Sequence, residues 1–370
     1  MRVKRTMSLA AIPVLVLSLS ACNPAQENRT VIKDSGGTIT VVESPAPKAG
    51  SPELSVERME RLDQVEITDW LDEDTVIVSK ENDALEKISL AELSEFHPKS
   101  LYSYNLSTKQ YRLLKEKKGT FLGGAVLSPD KKHLLYHDYT LGDPIYSVLN
   151  LNDLTSFAIT GEPVAGAISA HWADSKTVIG VAYSQGAYLA QTSGELSLLP
   201  ELNEEGLFIV RKGKENVYYN TTSDETLRRV NLATGQKTSL NIGQVRNAIP
   251  SPDGTQLLVL QYEGSQATLT LMDENGQNHK KIAQGTELDG AAWSPDQRLV
   301  AYTRSSDSGG TSGKGLYVYD RLTAKSIQIA VGLDHALTAW SPSSKALVYT
   351  ESKDNRSSST LVYLKDSLKK

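Results

Sequence analysis

Three stretches of the sequence repeat one pattern: AVLSPDKKHLLYHD (Ala125 to Asp138), AAWSPDQRLVAYTR (Ala291 to Arg304) and TAWSPSSKALVYTE (Thr338 to Glu351). Each has a Ser-Pro pair, a polar turn, and an apolar run that ends in a Tyr eight residues after the Ser. IPSPDGTQLLVLQY (Ile249 to Tyr262) is a fourth copy, with Val259 at the eighth position. Proline cannot donate to a strand ladder, so it ends the strand before it. The polar residues then form a tight turn, and the apolar run returns as a buried strand.

Weaker copies of the pattern fill the gaps between these four. They are DWLDEDTVIVS (Asp69 to Ser79), HWADSKTVIGV (His171 to Val181) and IVRKGKENVYYNT (Ile209 to Thr221). The seven copies recur at intervals of 39 to 57 residues. A period of about 40 to 50 residues, with four short strands in each unit, is typical of a β-propeller. We therefore predict an all-β fold, a single β-propeller over residues 61–370 with seven blades, six or eight blades being the alternatives.

The last unit of the predicted propeller lacks one strand. Its third strand is STLVYLKD (Ser359 to Asp366), and the sequence ends four residues later. Propellers commonly complete the final blade with a strand from the N-terminal side, which avoids an exposed sheet edge. Either TITVV (Thr38 to Val42) or RLDQVEIT (Arg61 to Thr68) is expected to supply this strand.

An insertion is predicted in the first blade, where the interval between copies is longest. ALEKISLAELSEF (Ala84 to Phe96) lies in this interval and has the spacing of a short amphipathic helix. A decorated loop at one rim of a propeller is a natural place for function.

The N-terminus has the layout of an export signal. Three basic residues within the first five precede an apolar run of 13 residues from Met7 to Leu19. A permanent membrane-spanning helix needs about 20 residues, so the run is too short to be one. The residues that follow, up to about residue 60, are rich in Pro, Ser and Gly, and this composition predicts a flexible tether.

Leu19-Ser20-Ala21-Cys22 resembles the lipobox of bacterial lipoproteins. The resemblance implies that residues 1–21 are removed, that Cys22 is lipidated, and that residues 22–60 tether the propeller to the extracytoplasmic face of a cell membrane. Two or three acyl chains give a stable anchor. Cys22 is also the single cysteine of the sequence. The alternative is an ordinary secreted protein in which Cys22 has no such role.

The charge of the sequence argues against some partners. The net charge is −5, and it becomes −8 when the three basic residues of the export signal are removed. Nucleic acid and anionic lipid surfaces are therefore poor partners. We expect a monomer that is attached to the membrane through the lipid on Cys22 and binds another envelope protein or a peptide.

The Ser-Pro-Asp units resemble the WD40-like repeats of the TolB family and of the propellers that cap prolyl oligopeptidases. The resemblance covers roughly residues 61–370. The Trp-Asp dipeptide of true WD40 repeats is missing, and propellers serve as scaffolds, receptors, lyases and hydrolases, so the resemblance implies a fold more than an activity.

The histidines are the candidate metal ligands. His133 and His137 are four residues apart on a predicted strand, about 13 Å, which is too far to share a metal. His171 and His335 lie close to predicted inner strands and would face the central channel. The oligogalacturonate lyases, propellers with TolB-like repeats, bind a channel metal largely through histidines. Two scattered histidines are more often structural, so we predict no metal, cofactor or catalytic residue.

Other motifs are interpreted as structural. SGGTSGKG (Ser308 to Gly315) lacks the Gly and the Ser or Thr that a Walker A loop requires, which favours a hairpin loop. DENGQNH (Asp273 to His279) lacks the Glu of a calcium loop and is predicted to be a turn. The tryptophans share one repeat position, which indicates packing between blades; they are Trp70, Trp172, Trp293 and Trp340.

These features predict a lipid-anchored interaction or scaffold module of the cell envelope. The alternative is an extracytoplasmic lyase, hydrolase or ligand sensor that uses the propeller channel and acts on a carbohydrate. No G-x-S-x-G elbow is present, and the catalytic domain of a prolyl oligopeptidase is absent from the sequence. The interaction module is therefore preferred over an enzyme.

Overall fold

The structure is almost entirely β. The computed structural model describes residues 29–34, 37–42, 54–306, 314–333, 335–353 and 356–366. In these ranges the helical elements are two 3-10 turns, Ala91–Leu93 and Pro200–Leu202. The prediction of an all-β chain is confirmed.

The strands follow one another in units of four antiparallel strands, and a parallel bridge between Lys99 and Phe121 joins the first two units into one sheet. Two strands precede the ring and pair with each other, β1 (Arg29–Asp34) and β2 (Gly37–Val42), and β3 (Leu54–Asp63) follows them. The first unit contains β4 (Glu66–Trp70), β5 (Thr75–Glu81), β6 (Lys99–Asn105) and β7 (Gln110–Lys115). The second contains β8 (Phe121–Leu127), β9 (His133–Tyr139), β10 (Ile145–Asn150) and β11 (Ser156–Ala158). A hairpin of β12 (Thr160–Gly161) and β13 (Ala165–Gly166) leads to the third unit.

The remaining units repeat this order. The third contains β14 (His171–Trp172), β15 (Thr177–Val181), β16 (Ala187–Gln191) and β17 (Leu196–Leu198). The fourth contains β18 (Leu207–Lys212), β19 (Asn216–Thr221), β20 (Leu227–Asn231) and β21 (Lys237–Ile242). The fifth contains β22 (Val245–Pro250), β23 (Gln256–Glu263), β24 (Gln266–Asp273) and β25 (Lys280–Gly285). The sixth contains β26 (Glu287–Trp293), β27 (Leu299–Ser305), β28 (Gly315–Asp320) and β29 (Lys325–Val331). The last contains β30 (Leu337–Trp340), β31 (Ala346–Lys353) and β32 (Arg356–Asp366), and β3 completes it.

The Ser-Pro-Asp motif forms the turn between the first and second strands of a unit. In the second unit the buried Ser128 donates a hydrogen bond from Oγ to Oδ1 of Asp130, 2.7 Å away, and accepts one from the His133 N–H at 3.0 Å. The residue after the Asp, Lys131, has φ +60°, the left-handed conformation that the turn requires. The copies that begin at Ser251 and Ser294 repeat these two hydrogen bonds. The motif is thus a structural one.

Each tryptophan links its unit to the unit before it. The indole Nε1 donates to a carbonyl oxygen on the inner strand of the preceding unit at 2.9 to 3.2 Å. The pairs are Trp70 with Ala339, Trp172 with Val126, Trp293 with Ile249, and Trp340 with Ala292. The prediction that the tryptophans pack between blades is confirmed, and the Trp70 pair joins the first unit to the last, as a closed ring requires.

The strand that closes the ring is β3, and this corrects the boundaries expected from sequence. β3 pairs with β32 from Leu54 opposite Asp366 to Asp63 opposite Ser358. Of the two candidates expected from sequence, Thr38 to Val42 lies in β2 and pairs with β1, while Arg61 to Thr68 overlaps β3 only through residues 61–63. Leu54 packs in the same apolar cluster as Leu364 and Trp340, so the apolar residues of β3 are anchored in the last unit. The propeller begins at Leu54 and not at residue 61.

The insertion in the first unit is present but is not helical. Residues 82–98 connect β5 to β6, and the 3-10 turn Ala91–Leu93 is their one regular element. Ile88 and Leu93 are buried against Phe121 of the second unit. The helical spacing of the apolar residues therefore reflects burial of two side chains under a loop.

Candidate functional site

The lipidation site and the Gly-rich loop are not covered by the structure. Cys22 and residues 308–313 lie outside the described residues, so the role of Cys22 stays a prediction. Within the described ranges, no helix is long and apolar enough to cross a membrane.

The two histidines expected to face the channel lie in different units of the ring. His171 lies on β14 in the third unit, where burial lowers its pKa well below the usual value and the nearby Arg211 lowers it further. His335 precedes β30 in the last unit, its side chain is 67% exposed, and its Nδ1 lies 3.7 Å from Oδ2 of Asp289. Among the described residues there is no group of three or more His, Cys, Asp or Glu side chains that would hold a metal.

The other histidines have structural partners. His133 and His137 lie on β9 and contact different rings: the first faces Trp172 at 6.5 Å between centroids, and the second faces Tyr139 and Tyr146 at 5.5 and 5.6 Å. A ring nitrogen of His97 is hydrogen-bonded to the Leu85 carbonyl, and one of His279 to the Gly276 carbonyl. As expected, Asp273 and His279 lie in the turn between β24 and β25.

A cavity of about 440 Å³ opens at the end of the ring where the inner strands begin. We call it the rim pocket. It is shared by the first, second and last units and by the insertion. Its lining residues are Glu66, Glu92, Leu93, Phe96, Lys99, Phe121, Tyr139, Thr140, Leu141, Ser352 and Ser357.

Aromatic rings form one wall of the rim pocket. Phe121, at the start of β8, meets Phe96 of the insertion edge to face, with 6.4 Å between ring centroids. Tyr139, at the end of β9, lies 5.5 Å from Phe121 on its other side. Leu141 extends this wall and is 59% exposed. A cavity lined by aromatic and apolar side chains is typical of a binding site.

An ion pair provides the polar side of the rim pocket. Nζ of Lys99 lies 3.6 Å from Oε2 of Glu66, and the two side chains are only 13% and 12% exposed. Ser357, on β32, donates a hydrogen bond to the same carboxylate at 3.5 Å. The formal charges of Lys99 and Glu66 cancel, and Glu92 adds one negative charge to the lining of the pocket.

Tyr139 and His137 are both neutral near pH 7. Burial, and then the negative charge of Glu66, raise the pKa of Tyr139 to about 12. Burial lowers the pKa of His137, although Glu66 and Asp138 oppose the shift. The His137 ring lies against Gly124, where an added Cβ would be 2.2 Å from Cε1. Gly124 therefore leaves room for the imidazole next to the inner strand.

The rim pocket was only partly visible in the sequence. The insertion indicated the correct rim through Phe96. No sequence pattern indicated Glu66, Lys99 and Tyr139, because they belong to three different strands and Tyr139 joins the other two only when the second unit packs against the first.

Comparison with solved structures places the chain among β-propellers. It is similar to an oligogalacturonate lyase in complex with manganese, at TM-score 0.60 and 13% identity, over 93% of this chain and 98% of that one. An oligogalacturonate lyase from Vibrio parahaemolyticus gives TM-score 0.60 and 13% identity over 91% and 97% of the two chains. The β-propeller domain of Myceliophteria thermophila Cps50 (Swd1) gives 0.54 and 11% over 83% and 99%. These likenesses confirm the β-propeller fold.

Two other comparisons found no relative. No protein-family model matches the chain, and no curated protein matches it. The class of the molecule is therefore defined by its fold.

Removing one member of the ion pair should destabilise the ring. We expect Glu66→Gln to lower the free energy of unfolding by about 1 to 3 kcal/mol, because it leaves the Lys99 ammonium largely buried and unpaired. The double variant Glu66→Gln with Lys99→Met should recover part of that loss. Urea unfolding followed by tryptophan fluorescence measures both.

Lys109 and Glu60 provide a matched control on the surface. Their ion pair is 2.5 Å long, but the side chains are 53% and 35% exposed. Lys109→Met should therefore lower the free energy of unfolding by less than about 1 kcal/mol. If Glu66→Gln and the double variant lower the free energy of unfolding by the same amount, the Glu66–Lys99 pair does not behave as a buried ion pair.

Proposed function

We propose that the protein is a lipid-anchored β-propeller of the cell envelope, whose rim pocket binds a segment of another envelope protein. The observation that carries the proposal is the rim pocket itself, with an aromatic wall beside a charge-compensated polar wall. Aromatic anchors in a concave, partly enclosed site are typical of positions that dominate binding energy at interfaces.

The rim pocket favours one kind of guest. A cavity of about 440 Å³ is of the size that binds small ligands, so it would take one or two large side chains and not a folded domain. Lys99 and Glu66 neutralise each other at 3.6 Å, and Glu92 leaves the lining with one negative charge, so an acidic guest is disfavoured. The guest is therefore an extended peptide segment with a large apolar side chain, whose backbone reaches Ser352 and Ser357.

The anchor is proposed from the sequence. Cys22 follows an export signal in a lipobox-like context and would hold the mature chain at the extracytoplasmic face of the membrane. Residues 23–53 lie between Cys22 and the ring, and because β1 and β2 form a hairpin within them, they reach less than the about 110 Å of a fully extended chain of that length. The propeller would therefore act close to the membrane, as a monomer and without nucleic acid.

The second candidate is a channel enzyme or sensor that acts on a carbohydrate. Oligogalacturonate lyases are among the similar structures, but at 13% identity this likeness concerns the fold alone. His171 and His335 belong to no group of metal-ligating side chains within the described residues. The binding module is therefore preferred.

The anchor is tested by Cys22→Ser. We expect the variant to lose labelling by radioactive palmitate and to move from the membrane fraction to the soluble fraction of the cell. The reason is that acyl chains need the Cys22 sulfur and amine. Continued labelling of the variant would contradict lipidation at this residue.

The rim pocket is tested by photo-crosslinking in intact envelopes. A photoreactive residue at Leu141 lines the pocket and is exposed enough not to disturb folding. We expect it to form an adduct with one envelope protein, identified by mass spectrometry. Phe96→Ala should remove most of the adduct, because it removes part of the aromatic wall.

Leu322 is the matched control position. It is 67% exposed and lies in the sixth unit, in the turn between β28 and β29. If the probes at Leu141 and Leu322 give the same adducts, or if Phe96→Ala leaves the Leu141 adduct intact, the rim pocket is not the binding site.

A further inference from the structure

The exposed apolar side chains are concentrated at the end of the ring that holds the rim pocket. We call this end, formed by the loops that lead into the first and third strands of each unit, the entry face. Within the described residues twelve large apolar side chains are exposed, and eight of them lie at the entry face. Five of the eight belong to the insertion and to the second and third units: Leu90, Leu141, Ile145, Ile168 and Tyr183. Clustered exposed apolar side chains are typical of a surface that binds a partner.

Contacts connect this apolar surface to the rim pocket. Leu141 lines the pocket, and Asp143 in the same loop accepts a hydrogen bond from the Tyr183 hydroxyl at 2.8 Å. The Tyr183 ring lies against Gly166, where an added Cβ would be 2.9 Å from Cδ2. Ile168, which is exposed, lies two residues further along the chain. The apolar surface therefore continues from the rim pocket onto the third unit.

The entry face of the first four units is acidic. Its loops hold twelve Asp and Glu residues and three Lys, whereas the loops at the opposite end of the same units hold eight Asp and Glu and five Lys. Three of the twelve carboxylates, those of Glu204, Asp224 and Glu225, form ion pairs with a neighbouring Lys or Arg. The entry-face loops counted are residues 64–65, 82–98, 116–120, 140–144, 159–170, 182–186, 199–206 and 222–226.

The insertion places uncompensated carboxylates at the mouth of the rim pocket. Its four acidic side chains are exposed, and within the described part of the chain none of them forms an ion pair; they are Asp83, Glu86, Glu92 and Glu95. Lys87 is the one Lys or Arg among residues 82–98. Glu92 lines the pocket, and Glu95 directly precedes Phe96 of the aromatic wall. Negative charge and aromatic rings therefore lie side by side at this opening.

The tether joins the ring at the opposite end. Leu54 begins β3 opposite Asp366, and Asp63 ends it opposite Ser358, close to where Glu66 begins the first inner strand. The chain that precedes Leu54 therefore meets the ring on the side away from the entry face. This placement favours a partner protein over the tether as the occupant of the rim pocket and the surface beside it.

We propose that the partner segment is basic, with Lys or Arg residues beside the apolar side chain that fills the rim pocket. The inference rests on the proposed function and names the chemistry of the partner. The basic residues lie over Glu92 and Glu95, and a further apolar residue of the segment contacts the surface around Tyr183. Complementary charge accelerates association and selects the correct partner, while an acidic segment would meet charge of its own sign.

Selection from a random peptide library tests the proposal. The mature chain with Cys22→Ser is immobilised and panned against phage-displayed dodecapeptides. We expect the enriched peptides to share a large apolar residue and to carry a mean net charge of about +2 or more. The affinity of one enriched peptide, labelled with fluorescein, is then measured by fluorescence polarisation.

Two variants separate the charge from the pocket. Glu92→Gln with Glu95→Gln should weaken binding of the basic peptide about threefold to tenfold, because each exposed charge pair contributes modestly to the binding free energy. Raising the NaCl concentration from about 0.05 to about 0.5 M should weaken binding to the wild type more than to this double variant, since salt screens exposed charges. Phe96→Ala should weaken binding at both salt concentrations, because it removes part of the aromatic wall.

Glu195→Gln with Glu215→Gln is the matched control. Both carboxylates are exposed and lie in turns at the opposite end of the ring, between β16 and β17 and between β18 and β19. This double variant removes the same number of charges, and the affinity for the basic peptide should not change.

The results distinguish this proposal from the proposed function. Enriched peptides that are neutral or acidic, or equal affinity of the basic peptide for the wild type and for Glu92→Gln with Glu95→Gln, would overturn the basic partner and leave the rim pocket as a binding site. Failure to enrich any peptide, or full affinity in Phe96→Ala, would contradict binding at the rim pocket as well. A dimer of the mature chain that Phe96→Ala dissociates would show that a second copy occupies the surface, and the proposal would be wrong.

Discussion

Closure of the ring is the constraint on which the rest of the structure depends. Consecutive units are joined by side-chain packing and by the indole hydrogen bonds of the four tryptophans, so a ring that is open at one point would expose the faces of two sheets. Two contacts prevent this. β3 adds the fourth strand to the last unit, and the indole of Trp70 donates to Ala339 across the seam at 3.2 Å. Ser359 reinforces the seam, since its hydroxyl accepts the Ile67 N–H at 2.8 Å and donates to the Val65 carbonyl at 2.9 Å.

The rim pocket lies on this seam. Glu66 begins the first unit and Ser357 lies on β32 of the last, and their side chains meet only because the ring is closed. A guest that contacts both units stabilises the closed ring by its own binding free energy, since an open ring has no such pocket. The fold and the rim pocket therefore both depend on closure of the ring.

The sequence predicted the parts of the fold that repeat. The turns at Ser128, Ser251 and Ser294 are held by the same two hydrogen bonds. The residues that make these bonds recur in the sequence, so the repeat could be recognised from the sequence alone. The closing strand was predicted only at its last three residues, 61–63, because LSVERMERLD is charged, has a bulge between Val56 and Arg58, and resembles a tether until it meets β32. The rim pocket was missed for a related reason, because two of the residues that meet in it, Glu66 and Ser357, are 291 residues apart.

The pairing of β3 with β32 is tested most directly by disulfide formation in a Cys22→Ser background, where no other cysteine is present. Asp63 lies opposite Ser358 at the exposed end of this pairing, while Arg356 is two residues further along β32. On mild oxidation, Asp63→Cys with Ser358→Cys should form the disulfide nearly completely, as shown by mass spectrometry of peptides. The pair Asp63→Cys and Arg356→Cys should form little of its disulfide, because the two residues are offset by about 7 Å along the strand. Equal yields from the two pairs, or no disulfide from the first, would contradict closure of the ring by residues 54–63.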